Sequence, residues 1–272
     1  MTRPRIVEPG ATLALSRRTT RRHFLLHPDE ARQMEQIYWY CLAYAAKRHG
    51  VAVHAACLMS THAHEVFNKD STGVHALLTP EAIVESIAYL IANPVAAGAV
   101  RYARDWPGAH TLPRDVGSRV MVVKRPPHYF DPDNPKWPEE LELVLEMPVA
   151  LELDYGPELA RERIAERVRH KEHQAWSEAR RTGRSFVGPR RVLRLLHTKR
   201  AKSYEVFGSL NPQFAAAGNR VAATEAVRRL RAFNAQYQRA LRRWMAGDRS
   251  ACFPAGTWWM RVCHGARCGP GP

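Results

Sequence analysis

No stretch of this sequence stays apolar for the length that a membrane span requires, so no membrane partner is expected. The opening residues Met1-Thr2-Arg3-Pro4-Arg5 carry cations, but no apolar run of the kind a secretory signal needs follows them, so export is not expected. Cysteine is sparse. Cys41, Cys57, Cys252, Cys263 and Cys268 are an odd number at irregular spacings. They fit neither a disulfide framework nor paired CxxC zinc ligation, and reduced thiols in a cytoplasmic protein are the expectation. No repeat period is present, which argues against a solenoid. Acid is scarce relative to base, with 26 Asp+Glu against 41 Lys+Arg and a formal net charge of +15.

A surplus of that size attracts phosphate polyanions through counterion release, so nucleic acid is the leading expected partner. Charge alone leaves open a general enrichment in arginine. Hydrophobic residues make up 45% of the chain, enough for a packed core.

Residues 12–16 alternate as a strand and lead into a basic run, Arg17-Arg18-Thr19-Thr20-Arg21-Arg22. From Asp29 to His49 the spacing of Met34, Ile37, Cys41 and Ala45 predicts a helix that Gly50 stops. Residues 51–58 and 62–67 read as two strands, and the short link between them predicts an antiparallel hairpin. Thr79-Pro80-Glu81 is a helix opening with Thr79 as cap, and Pro94 is expected to end that helix at Asn93. Residues 107–155 are rich in proline, with strand-like pieces at 120–123 and 141–145. A charged helix is expected over 158–181. A second runs from Asn219 to Met245, with Val227, Leu230, Phe233, Tyr237, Leu241 and Trp244 on one stripe. Residues 252–263 read as a final strand or loop.

His62 and His64 stand two apart on a predicted strand, so both imidazoles share one face, as joint ligation of a divalent cation requires. A hydrogen-bonded pair of strand histidines satisfies the same spacing. On the helix that follows, Ile83, Ile87 and Leu90 form the core stripe, and Glu85, Tyr89 and Asn93 recur every four residues on another face. A tyrosine beside a metal is a competent nucleophile toward a phosphodiester. Asn93 could add an oxygen ligand. Spacing alone leaves open the plainer readings of a packing tyrosine and a helix-terminating asparagine.

The HxH pair, the string Tyr89-Leu90-Ile91-Ala92-Asn93-Pro94-Val95-Ala96-Ala97-Gly98-Ala99-Val100 and the following Asp105-Trp106-Pro107 together resemble the REP-associated tyrosine transposases. These belong to the HUH superfamily of single-strand endonucleases, in the insertion-sequence branch that uses one tyrosine. The resemblance covers about residues 1–112, and Phe253-Pro254-Ala255-Gly256-Thr257-Trp258 is similar to a longer bacterial transposase subgroup. It implies an α+β fold, an antiparallel sheet with flanking helices of HUH/ferredoxin-like kind. His62 and His64 would be metal ligands, Asn93 the third ligand, Mg2+ or Mn2+ the cofactor and Tyr89 the nucleophile. The tyrosine of such proteins attacks single-stranded or hairpin DNA, forming a 5′-phosphotyrosine and freeing a 3′-hydroxyl. The domain reading is then a transposase-like unit at 1–112, a proline-rich connection at 113–155 and a basic, mostly helical region at 156–272.

The chain departs from the family in three places. Only residues 65–88 separate the histidines from the tyrosine, where the family has a further helix and strand. Ser60-Thr61 stands where an asparagine is common, and Glu65 replaces an apolar residue while pointing away from the histidines. An internal deletion accounts for these. Two other readings therefore stay open: a DNA-binding protein of the same fold that no longer cleaves, and a metal hydrolase in which His54 joins His62 and His64 without Tyr89. Arg17, Arg18, Arg21 and Arg22 are candidate phosphate contacts beside the site.

Overall fold

The computed structural model describes residues 6, 10–68, 75–201 and 214–270. The basic opening at residues 1–5 lies outside the described residues. Alternation in the sequence becomes a hairpin, β2 (Ala52–Met59) and β3 (His62–Asn68), turning at Ser60-Thr61. β1 (Thr12–Arg18) pairs with the other edge of β3, placing Ser16 opposite His64 and Arg18 opposite His62. β4 (His75–Leu77) runs antiparallel to β1. A two-residue strand, Phe214–Ala215, completes the order β2-β3-β1-β4 and then that strand.

The expectation of an antiparallel sheet needs correction at this last position. Phe214–Ala215 runs parallel to β4, with Ala76 opposite Phe214, so the five-stranded sheet is mixed. A segment returning from far along the chain is free of the hairpin constraint that makes sequential neighbours antiparallel. The molecule is α+β, with helices on both faces of that sheet.

α1 (Gln33–His49) covers one face. There Trp39, Tyr40 and Ala43 pack on Val53, Ala56 and Leu58 of β2. An irregularity between Val53 and Ala55 shifts the register, so Ala55, Cys57 and Met59 turn to the other face. α2 (Pro80–Ala96) lies on that second face, which also holds Val66 and the two histidines of β3. Thr79 caps α2, its hydroxyl oxygen accepting from Ala82 N at 3.2 Å, and Pro80 takes the first turn.

Pro94 does not end α2 at Asn93. The helix continues to Ala96 with Pro94 inside it. So near the C-terminus the ring forfeits only one ladder bond. The last turn is held by Ala97 N to Asn93 O at 2.9 Å and Ala99 N to Pro94 O at 3.0 Å, and Gly98, at φ 71°, turns the chain away.

Residues after 112 pack directly on these layers. Two strands, β5 (Val120–Lys124) and β6 (Glu140–Val144), form a separate hairpin whose Leu141 and Leu143 join Trp39 and Tyr40 under α1. α3 (Val149–Arg181) breaks at Gly156 (φ 71°, ψ 163°), backbone that only glycine adopts readily, and Pro157 starts the longer segment. Ile164 and Val168 of that segment share one core with Ile83, Ile87, Leu90 and Ile91 of α2. After a short α4 (Pro189–Leu193) and the parallel strand, numbered β7, comes α5 (Arg220–Met245), capped by Asn219. Its Ala240 packs with Phe253, Met260 and Ala266 in a smaller cluster. Residues 252–258 are the expected loop, with isolated bridges at Phe253 and Thr257, and from Trp259 the chain instead forms a short helix, α6 (Trp259–His264). Among the described residues no helix is long and apolar enough to cross a membrane.

Candidate active site

Strand alternation and helix periodicity converge on one spot. His62 and His64 leave β3 on the α2 face with ring centroids 4.6 Å apart and planes nearly perpendicular. Tyr89, on the turn of α2 that passes over them, meets the edge of the His64 ring at 5.6 Å. One turn further, the Asn93 carboxamide stands 3.3 Å from His64 Nε2. Asn93 is buried and Tyr89 is half exposed, so the phenol is open to the outside while the amide is enclosed.

Burial, then the neighbouring His62 and Arg18, lowers the His64 pKa to about 3. Its imidazole is therefore neutral across the physiological range, the state in which it can ligate a cation. Thr61 Oγ1 lies 2.9 Å from His62 Nδ1. With Nδ1–H donating to that oxygen, the lone pair of His62 is on Nε2. Thr61 is thereby a support of the ring, a role that the sequence signalled only as a departure from the family pattern.

The donors that converge are thus two imidazoles and a carboxamide. Among the described residues no group of three or more His, Cys, Asp or Glu is arranged to hold a metal. Two imidazoles and a carboxamide are donors that could hold a divalent cation, which would keep its remaining positions for water or phosphate oxygens. The amide orientation is interchangeable, so Asn93 presents either its oxygen or its nitrogen toward that point.

His54 is not part of this site. It sits at the opposite end of β2, fully buried, with Nδ1 2.8 Å from Glu146 O. Burial first of all lowers its pKa. The three-histidine zinc arrangement is therefore not formed, because the register shift beside Val53 turns His54 toward the chain at Glu146.

The four arginines divide. Arg18, opposite His62 across the β1–β3 pairing, shares the histidines' end of the sheet and acts electrostatically on His64. Arg17, opposite Ala63, points to the α1 side by alternation. Arg21 and Arg22 lie beyond the strand in a single 3-10 turn, both at positive φ.

Behind the histidines Glu65 is buried on the α1 face, where Tyr38 donates its hydroxyl to Oε1 at 2.8 Å and Oε2 has no hydrogen-bond partner among the described residues. Burial raises the Glu65 pKa to about 7, against the opposing pull of the Tyr38 bond.

Three residues beside Tyr89 had no local signal beyond the position of the first. Glu85, one turn before Tyr89, is ion-paired with both Arg167 and Lys171 of α3. Lys171 also lies over the Tyr89 ring, its Nζ 5.8 Å from the centroid.

No family model, no curated protein and no solved structure matches this chain.

Proposed function

We propose that the chain is a DNA strand transferase of the single-tyrosine HUH type, in which Tyr89 attacks a phosphodiester of single-stranded or hairpin DNA. The observation that carries this reading is the edge-to-face meeting of Tyr89 with His64 at 5.6 Å, beside a second imidazole and a carboxamide. A packing tyrosine would be expected to bury its ring in the core; this one is half exposed above a polar pocket. The excess of 41 basic over 26 acidic residues supplies the attraction for the strand.

In this mechanism the Tyr89 oxygen forms a bond to phosphorus and the bond to the 3′ oxygen breaks. The phenol proton passes to solvent, and the 3′ oxygen takes up a proton to leave as a hydroxyl. The product is a 5′-phosphotyrosine, and attack by a 3′-hydroxyl reverses the step and joins strands. His62, His64 and Asn93 are the residues that would hold Mg2+ or Mn2+. Such a cation, when bound, draws charge from the non-bridging phosphate oxygens. Thr61 and the packing of α2 on β3 keep the ligands and the phenol in register.

The deciding experiment incubates the protein with a single-stranded hairpin oligonucleotide and Mn2+ and assays for a protein–DNA adduct that survives denaturation. The adduct is expected with the native protein and lost in Tyr89→Phe or with a chelator. DNA binding with no adduct in the native protein would overturn strand transfer and leave a DNA-binding protein of the same fold. Metal-dependent hydrolysis that persists in Tyr89→Phe but fails in His62→Ala would point to the hydrolase instead.

A further inference from the structure

The motifs that resemble the single-tyrosine endonuclease unit lie within about residues 1–112, yet Lys171 of α3 reaches the Tyr89 ring from beyond it. Arg167 and Lys171 are one helical turn apart on α3, and both engage the Glu85 carboxylate. One carboxylate shared by two cations leaves the trio with net positive charge. It stands one turn from Tyr89, because Glu85 and Tyr89 are four apart on α2. Lys171 is the more enclosed cation, its side chain 15% exposed against 43% for Arg167.

Lys171 is held by two favourable contacts, the Glu85 carboxylate and the face of the Tyr89 ring, so its ammonium is fixed beside the exposed phenol. Burial notwithstanding, the bonds from Arg167 and Lys171 hold the Glu85 carboxyl below its ordinary range. A lysine ammonium has three donors in a compact head, suited to a point contact with a phosphate oxygen. On the sheet side of the same pocket stands Arg18. A cation from β1 thus acts on His64 and a cation from α3 on Tyr89.

We infer that Lys171 grips the DNA phosphate presented to Tyr89, with Glu85 as the positioning residue that aims the ammonium. This rests on the reading of Tyr89 as nucleophile, and it makes α3 a working part of the site. The trio also ties the helix at 157–181 to the turn of α2 that leads to Tyr89.

The test uses the full chain, a fluorescein-labelled single-stranded hairpin oligonucleotide and Mn2+. Lys171→Met is expected to slow adduct formation at saturating DNA by about 100-fold, as loss of one charge-stabilising donor does elsewhere. Lys171→Arg, which keeps the charge and the Glu85 pair, is expected to recover part of that rate. The slope of log affinity against log salt is expected to shrink by about 0.7 in Lys171→Met, one phosphate contact on a single strand. Arg169→Met, on another face of α3, is expected to leave the adduct rate unchanged. Glu85→Gln is expected to lower the rate while leaving the salt slope in place.

An adduct rate and a salt slope both unchanged in Lys171→Met would overturn the assignment. If the native protein forms no adduct, strand transfer fails, and the salt slope alone decides: a reduced slope sustains the Lys171 phosphate contact and an unchanged one removes it. Should Lys171→Met unfold because Glu85 is stranded, the double variant Glu85→Gln/Lys171→Met is compared with Glu85→Gln alone: a salt slope smaller by about 0.7 sustains the Lys171 phosphate contact and an equal slope overturns it.

Discussion

Thr61 sets its hydroxyl oxygen 2.9 Å from Nδ1 of His62, on the turn that joins the two strands of the hairpin. The backbone carbonyl of the same residue accepts from Thr19 N at 2.8 Å, so the turn is tied to the end of β1 whatever its side chain. Thr61→Val should therefore keep the fold while releasing the imidazole. Partners of this kind usually set metal affinity by 10-fold or more, so titration calorimetry with Mn2+ is expected to show about a 10-fold weaker site. Equal affinity in the two proteins would mean that the hydroxyl does not orient His62.

A buried carboxylate lies one residue beyond His64, on the reverse of the sheet. The Glu65 pKa is raised from 4.5 to about 7 chiefly by burial. A raised carboxyl pKa means the folded state binds the proton more tightly. Its contribution to stability is full below about pH 4.5 and is lost as pH climbs through about 7. Glu65→Gln is expected to remove that slope and to stabilise the protein at pH 8 by on the order of 2–3 kcal/mol. Urea unfolding at pH 5 and pH 8 measures it. A variant that remains as pH-sensitive as the native protein would refute the assignment to Glu65.

His110 acts in the opposite sense. Its Nε2 is 3.0 Å from Ile91 O inside the α2 contact, and burial lowers its pKa to about 4. A depressed imidazole pKa favours the neutral folded form, so this stability is present above about pH 6.5 and is lost as pH falls through about 4. His110→Gln is expected to flatten the acid limb of the stability profile, recorded by thermal melts from pH 3 to pH 7.

α3 is bound to the rest of the molecule through buried apolar side chains. Ile164 is fully enclosed in the core it shares with α2, so Ile164→Ala is expected to cost about 2–5 kcal/mol. Leu153, on the same helix before the Gly156 break, is 79% exposed, and Leu153→Ala is expected to change stability by less than about 0.5 kcal/mol. Equal effects of the two substitutions in chemical denaturation would contradict the packing described for α3.

Local chemistry was legible in the sequence where one segment decides the outcome. Thr79 and Pro80 marked the start of α2, Asn219 marked α5, and period two put His62 and His64 on one face. Pro94 misled because it removes a single ladder bond, and the turn around it is held by the bonds from Ala97 N to Asn93 O and from Ala99 N to Pro94 O. The trio of Glu85, Arg167 and Lys171 was not legible, since its members come from helices whose docking is decided by Ile164 and Val168 against Ile87 and Ile91. The place of His54 turned on a single register shift beside Val53, which alternation in the sequence does not announce.

The parallel pairing of Ala76 with Phe214 has a kinetic meaning. A fifth strand drawn from so late in the chain can pair only after the residues between 77 and 214 have been made. This side of β4 is therefore the last edge of the sheet to be covered, and an uncovered edge is a template for a neighbouring chain.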